Sequence, residues 1–145
     1  MPRQLLAASL LTLTLTPGLA AQNTRLLRQP TLSQQEIAFA YGADLWIVPR
    51  SGGDARRLTS TPAVESNPHF SPDGQWIAFN CNRSGTPQVY VVGREGGQPT
   101  RLTWYPGPSI ARGWTPDGGA ILYAAMRNSA PSNFFGLWTV ARLLS

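Results

Sequence analysis

Short, continuous apolar runs alternate along this chain with clusters of glycine, proline and polar residues. Two clear runs are Trp-Ile-Ala-Phe at residues 76–79 and Val-Tyr-Val-Val at residues 89–92. A strand with one face in water would alternate apolar and polar side chains, and these runs do not. We therefore predict short strands that are covered on both faces.

The runs and the turns between them recur at a spacing of 44 residues. The repeated pairs are residues 45–48 with 89–92, 52–53 with 96–97, 57–59 with 101–103, 70–74 with 114–118, and 77–79 with 121–123. Chance can match one pair, but it does not keep five pairs in a common register. A repeat of about 40 to 45 residues built from short strands and glycine or proline turns is typical of a β-propeller blade.

The middle repeat predicts a blade of four strands. These strands are expected at residues 68–70, 75–80, 88–92 and 100–103. The turn after the first strand is Ser-Pro-Asp-Gly, in which Pro72 presets φ, Asp73 can hydrogen-bond the local backbone and Gly74 accepts positive φ. Blades that stack face to face would cover both faces of each sheet, so each blade is expected to form part of its neighbour's core.

Residues 27–145 as a whole are predicted to be an all-β, incomplete β-propeller. Two full four-stranded blades are expected at about residues 28–62 and 66–105, and most of a third at about 110–145. Because propellers close with about four to eight blades, we expect either the front part of a longer protein or several copies that close a ring. The break inside a blade favours the former. The remainder of the propeller is then an expected partner, and a homo-oligomer is the alternative.

The first 21 residues have the pattern of a cleaved secretory signal peptide. Arg3 supplies a positive start, residues 5–15 are apolar or small, and small residues precede cleavage after Ala20 or Ala21. The alternative, a membrane anchor, needs about 20 apolar residues, and this run is shorter. We therefore predict a periplasmic or secreted chain without a membrane span.

The basic composition does not indicate a nucleic-acid partner. The chain has twelve arginines, no lysine and seven acidic residues, for a net charge of +5. Only Arg56 and Arg57 are adjacent, and the sequence contains no basic run and no glycine-aromatic motif typical of nucleic-acid binding. The charge is interpreted as a solvated surface that suits acidic peptide ends.

Residues able to carry catalysis or bind a metal are few and scattered. Cys81 and His69 are the only cysteine and histidine, so neither a disulfide nor a zinc site is expected. Cys81 is predicted to be a small buried strand residue, and His69 a loop or strand-edge residue. Ser71 lies in a turn and Ser66 in a predicted loop, and no Gly-x-Ser-x-Gly motif occurs. We predict no catalytic residue, no cofactor and no metal within this chain.

The repeat resembles the propeller repeat shared by TolB, the tricorn proteases and prolyl-oligopeptidase-type exopeptidases. The residues that carry this resemblance are 70–74, 76–79, 89–92, 96–97 and 101–103. The segment from residue 44 to residue 59, and the approach Leu-Arg-Gln-Pro at residues 27–30, are similar to the opening blade of bacterial tricorn-like proteases. TolB-type proteins carry an α/β domain before the propeller, and no room for one exists between the signal peptide and the first repeat. The resemblance covers residues 27–140.

In tricorn-like enzymes a six-bladed propeller precedes a second propeller, a PDZ-like domain and a serine peptidase core. The resemblance therefore implies that this chain guides peptides, while proteolysis belongs to a C-terminal core that it does not contain. Arg83, Arg94 and Arg127 are expected near the channel rim, where they could contact peptide carboxylates. The alternatives are a TolB-type periplasmic module that binds a partner protein, and the propeller cap of a prolyl-oligopeptidase-type exopeptidase.

Overall fold

The computed structural model describes residues 27–127 and 134–142, and every regular element in these ranges is a β-strand. The predicted signal peptide, residues 1–21, lies outside the described residues. The strands form three sheets, which we call blades 1, 2 and 3. Blade 1 contains β1 (Arg28–Leu32), β2 (Glu36–Tyr41), β3 (Asp44–Pro49) and β4 (Arg56–Arg57); blade 2 contains β5 (Glu65–Phe70), β6 (Trp76–Cys81), β7 (Gln88–Gly93) and β8 (Gly96–Arg101); blade 3 contains β9 (Ser109–Trp114), β10 (Ala120–Ala125) and β11 (Gly136–Ala141).

Each blade is an antiparallel meander in which the strands lie side by side in chain order. Blades 1 and 2 have four strands, and the described part of blade 3 has three. The prediction of an all-β, partial β-propeller is confirmed. No helix within residues 27–127 and 134–142 is long and apolar enough to cross a membrane.

The repeated Pro-Asp-Gly turns form by the local chemistry that the sequence predicts. In blade 2, the Gly74 N–H donates to the Ser71 carbonyl over 2.9 Å, and Gly74 has a φ of 67°. The Asp73 carboxylate accepts bonds from the Ser71 hydroxyl and the Gln75 N–H, and these bonds lower the pKa of Asp73. The equivalent turn of blade 3 repeats the arrangement, with Gly118 at a φ of 69°.

Two strands of blade 2 differ from their predicted positions. The first begins at Glu65 and not at residue 68, and its pairing with β6 shifts between Ser66 and His69. Pro68 therefore lies in a bulge, where the ladder does not require its missing N–H. The fourth strand is Gly96–Arg101, so it begins four residues earlier than predicted. It also ends two residues earlier, because Thr103 lies outside the strand and its hydroxyl accepts the buried Val89 N–H.

The core lies between the blades. On β6, Ile77 and Phe79 pack toward blade 1, and Ala78 between them packs toward blade 3. Tyr90 and Val91 of β7 divide in the same way, Tyr90 toward blade 1 and Val91 toward blade 3. Each large side chain buried in this manner contributes about 1.5–3 kcal/mol. Blade 2 is therefore covered on both faces, as its unbroken apolar runs predict.

The first strands of the three blades, β1, β5 and β9, lie next to one another and are joined by side-chain hydrogen bonds. The Asn67 N–H donates to Gln29 Oε1 over 2.7 Å, and Asn67 Nδ2 donates to the Ala111 carbonyl over 2.6 Å. Trp114 Nε1 donates to the His69 carbonyl over 2.9 Å. These strands are thus the inner strands of the blades, and polar side chains fix the spacing between them.

Candidate functional site at one end of the blades

The two ends of the blades differ in the segments that they carry. One end, at which β1, β5 and β9 begin, holds both connections between blades, residues 58–64 and 102–108, and we call it the groove end. The opposite end holds the Pro-Asp-Gly turns. Binding residues of rigid scaffolds are found disproportionately on loops, and the groove end carries both connections between the blades.

A groove with a volume of about 770 Å³ lies at this end, between blades 1 and 2. We call it the blade 1–2 groove. Its walls are the starts of β1 and β5 and the turn between β2 and β3. The lining residues are Arg28, Gln29, Ala40, Tyr41, Gly42, Ala43, Val64, Glu65 and Ser66. A second cavity of about 480 Å³ lies beside it and shares Gly42, Ala43 and Val64 as lining residues.

Unusual backbone conformations are concentrated at this groove. Among the described residues, three that are not glycine have a positive φ: Gln29 at 53°, Ala43 at 75° and Asn67 at 58°. Gln29 and Ala43 line the groove, and Asn67 is bonded to Gln29. A left-handed conformation is costly for a residue with a Cβ, and such strain clusters at functional sites. The strain therefore marks the groove as a candidate site on grounds separate from its shape.

Glu65 is buried at the back of the groove, with only 1% of its surface exposed. The hydroxyls of Thr59 and Thr61 both donate to its carboxylate, and Arg83 Nη2 lies 4.0 Å from Oε1. Burial raises the pKa of Glu65, and the two threonine bonds oppose that rise. Because its oxygens are covered and already bonded, Glu65 fastens the connection between the blades and does not present a free carboxylate to a ligand.

Arg28 is the exposed charged residue among those that line the groove. The side chain of Arg28 is exposed, and it makes no ion pair and no hydrogen bond with the described residues. Arg57, in the adjoining cavity, is paired with Asp44 over 2.7 Å. Among the described residues that line the groove, the guanidinium of Arg28 is therefore the group that is free to meet an anion.

The structure does not bring together the three arginines that the sequence analysis singled out. Arg83 lies at the groove end, where its guanidinium stacks on the ring of Tyr90 at 4.6 Å. Arg127 lies at the same end, in blade 3, and donates to the Tyr123 hydroxyl over 2.7 Å. Arg94 lies at the opposite end and is paired with Glu95 over 2.9 Å. Each of the three is held by partners within the chain.

Of the residues considered for catalysis, Ser66 lines the groove, and Cys81, His69 and Ser71 do not. Cys81 is fully buried, as predicted, and its sulfur accepts a bond from Arg83 Nε over 3.4 Å. His69 lies in β5, where burial lowers its pKa. Ser71 serves the turn, and Ser66 lies in β5, so its predicted loop position was wrong. No group of three His, Cys, Asp or Glu side chains able to hold a metal occurs in the described ranges.

Sequence reasoning missed Arg28, Ala43 and Glu65. One signal for Glu65 was available: it stands 44 residues before Ser109, at a position where one repeat has a carboxylate and the next a hydroxyl. Such a departure from the repeat indicates a role specific to one blade interface. Nothing in the sequence marks Ala43 as left-handed, because its conformation depends on the tight turn between β2 and β3.

Comparisons with known proteins agree with this architecture. Over 49 residues the chain is 43% identical to the Tol-Pal system protein TolB of Bordetella pertussis, covering 33% of this chain and 11% of TolB. Over 64 residues it is 39% identical to Tricorn protease homolog 1 of Streptomyces coelicolor, covering 44% of this chain and 6% of that protein. The chain thus spans a small fraction of the length of both relatives.

A solved structure, that of putative TolB from Agrobacterium tumefaciens, superposes with a TM-score of 0.68 over 79% of this chain and 42% of that one. Its 23% sequence identity supports the shared fold alone. The family described as the tricorn protease N-terminal beta propeller domain matches residues 24–143, which is nearly all of the chain after the predicted signal peptide. With its repeats, its meandering blades and this match, the chain belongs to the tricorn protease N-terminal β-propeller family.

Proposed function

We propose that this chain is the peptide-guiding propeller segment of an exported, tricorn-like serine peptidase. Proteolysis is carried by a separate C-terminal core. The observation that carries this proposal is the family match over residues 24–143, and the identity with Tricorn protease homolog 1 supports it. Export is proposed from the signal-peptide pattern of residues 1–21.

The groove end is the part of the propeller that suits this role. Its groove has a volume of about 770 Å³, which falls within the range of about 300 to 1,000 Å³ that is typical of ligand pockets. The exposed charge of Arg28 at this groove favours acidic groups. Of the residues considered for catalysis, only Ser66 lines the groove, and the chain's one histidine, His69, is not among the lining residues, which fits a segment that binds without cleaving. Its expected partners are peptides and the remainder of its own propeller.

A TolB-type propeller that binds a partner protein in the periplasm is the second candidate. The 43% identity with TolB of Bordetella pertussis favours it. In this alternative the groove end would meet a folded partner, and the protein would have no peptidase core. The third alternative, that the chain is the propeller cap of a prolyl-oligopeptidase-type exopeptidase, stays a prediction.

A comparison of two proteins tests the proposed function. The 145-residue chain and the product of its complete gene are each assayed for cleavage of a fluorogenic peptide library, with and without a serine-directed inhibitor. We expect inhibitor-sensitive cleavage by the complete product and no turnover by the 145-residue chain. A complete product without peptidase activity would favour the TolB-type alternative, and inhibitor-sensitive turnover by the chain itself would contradict the prediction that it contains no catalytic residue.

A further inference from the structure

We propose that the blade 1–2 groove docks an extended peptide segment in which an acidic side chain stands next to an apolar one. Arg28 binds the carboxylate, and Tyr41 and Val64 contact the apolar side chain. This inference rests on the proposed function for its premise that the groove end meets peptides, and it goes further by naming the site, its residues and the kind of peptide.

Charge is the first reason for this choice of partner. Two groups of opposite formal charge line the groove, Arg28 and Glu65. Glu65 is buried and its oxygens are taken up by Thr59 and Thr61, whereas Arg28 is exposed and has no ion pair in the described part of the chain. A guanidinium binds a carboxylate through two parallel hydrogen bonds, so the free charge of the rim is complementary to an aspartate or glutamate side chain.

The apolar walls are the second reason. Tyr41 and Val64 are large side chains that remain 41% and 53% exposed, and both line the groove. Tyr41 belongs to blade 1 and Val64 to the connection that leads into blade 2, so the two walls come from different blades. The Tyr41 ring is held edge-on against Trp46 at 5.9 Å. Covering both walls with one apolar side chain would remove this surface from water.

The walls are also fixed before any peptide arrives. The Glu65 N–H donates to the Ala43 carbonyl over 2.8 Å, which ties the β2–β3 turn of blade 1 to the first strand of blade 2. The Val64 N–H donates to Asn82 Oδ1 over 2.9 Å, which holds the second wall in place. The strained conformations of Gln29 and Ala43 are retained by the same framework. A preformed site loses little conformational entropy on binding.

The test measures fluorescence anisotropy of labelled hexapeptides with blocked ends, so that the only carboxylate is a side chain. The probe is an Ala-rich hexapeptide containing Asp-Leu, and the comparison peptides contain Asn-Leu and Asp-Ala. With the full chain we expect the Asp-Leu peptide to bind about 10-fold more tightly than the Asn-Leu peptide, since a hydrogen bond to a charged group is worth about that factor or more.

Two variants locate the site. Arg28→Gln is expected to weaken binding of the Asp-Leu peptide about 10-fold and to abolish the preference over Asn-Leu. Arg50→Gln is the matched control, because Arg50 is also an exposed arginine of blade 1 but follows β3 at the opposite end. Val64→Thr keeps the shape of the wall and lowers its apolarity, and it should reduce the preference for Asp-Leu over Asp-Ala. Circular dichroism melting checks that each variant is folded.

The outcomes separate this inference from the proposed function. Binding that is unchanged by Arg28→Gln, or weakened equally by Arg50→Gln, overturns the groove as the site even if the complete gene product is a peptidase. Arg28-dependent binding supports the groove even if that product has no peptidase activity. A dimer in sedimentation that Arg28→Gln or Val64→Thr dissociates would assign the groove to a second copy and would also overturn the inference.

Discussion

At the scale of single residues, the repeated Arg-Leu-Thr tripeptide closes the outer part of a blade. Arg57 Nε donates to the Thr59 carbonyl over 3.0 Å, and Arg101 Nε donates to the Thr103 carbonyl over 2.6 Å. The two threonine hydroxyls accept the N–H groups of Leu45 and Val89, over 3.0 Å and 2.9 Å. The tripeptide recurs because blades 1 and 2 use the same pair of bonds.

Replacing one of these threonines should therefore destabilise the chain. Thr103→Val keeps the shape of the side chain but leaves the buried Val89 N–H and Gln88 Oε1 without their partner. The free energy of unfolding should fall by about 1–3 kcal/mol in urea titrations. Thr100→Val, at an exposed position of β8, is the matched control and should be nearly neutral. Equal effects of the two variants would contradict the role of the hydroxyl.

Glu65 should make stability depend on pH. Burial raises the pKa of Glu65 in the folded chain, so its contribution is fully present below the ordinary carboxyl pKa of about 4.3 and is lost as pH rises through the folded-state pKa. The side-chain amide introduced by Glu65→Gln does not ionise in this pH range. The free energy of unfolding of the variant, minus that of the wild type, should therefore become more positive from about pH 4 to about pH 8.

Urea titrations at several pH values measure this difference. Glu95→Gln, which removes an exposed carboxylate at the opposite end of the blades, is the matched control. A Glu65→Gln difference that stays constant across the range would show that burial does not govern this carboxyl.

At the scale of the elements, the joint between blades 2 and 3 depends on Asn80 of β6. Its Nδ2 donates to the Ser109 carbonyl over 2.7 Å and its Oδ1 accepts the Ala111 N–H over 3.1 Å, so one amide satisfies two backbone groups of the neighbouring blade. The equivalent position in β2 is Ala40, which makes no such contact. The joint between blades 1 and 2 is held instead by Glu65 and its threonines. Equivalent interfaces are thus closed by different side chains.

Asn80→Ala should weaken the joint between blades 2 and 3. The substitution leaves the Ala111 N–H and the Ser109 carbonyl without their partner, and the expected loss is about 2–4 kcal/mol of unfolding free energy. Hydrogen exchange of the β9 amides should rise in parallel, because that strand loses its anchor. Gln98→Ala, at an exposed position of β8, serves as the control. Unchanged exchange in β9 would show that apolar packing alone holds the interface.

At the scale of the whole molecule, apolar surface remains exposed on blade 3. Leu137 of β11 is 70% exposed, and Phe134 and Phe135 precede it. Among the described residues β11 is paired with β10 alone. An unpaired strand edge beside apolar side chains favours association with other chains. A further blade or another copy would have to cover this surface.

The isolated chain should therefore self-associate. Sedimentation velocity is expected to show larger species as the protein concentration rises, and Leu137→Lys should reduce them because a charge on an edge strand opposes pairing. Arg50→Lys preserves charge at a distant exposed position and should leave association unchanged. A monomer at all concentrations for the wild type would contradict the open flank.

The blades themselves follow from the sequence because their causes are local. The Pro-Asp-Gly turns form within four residues, and the unbroken apolar runs at residues 76–79 and 89–92 require cover on both faces wherever they lie. The period of 44 residues then sets the number and order of the sheets. The start of β8 and the bulge at Pro68 were missed, because strand ends depend on which side chains the neighbouring blade accepts.

The groove could not be predicted from the sequence, because its residues are not neighbours in the chain. Its walls come from three segments that are distant in the chain, at residues 28–29, 40–43 and 64–66, and only the strand pairing and the stacking of two blades bring them together. The strand directions also place Arg94 at the end of the blades opposite Arg83 and Arg127. In the sequence all three are arginines in predicted loops. Local chemistry therefore determined what each blade is, and the packing of one blade against the next decided where a ligand could bind.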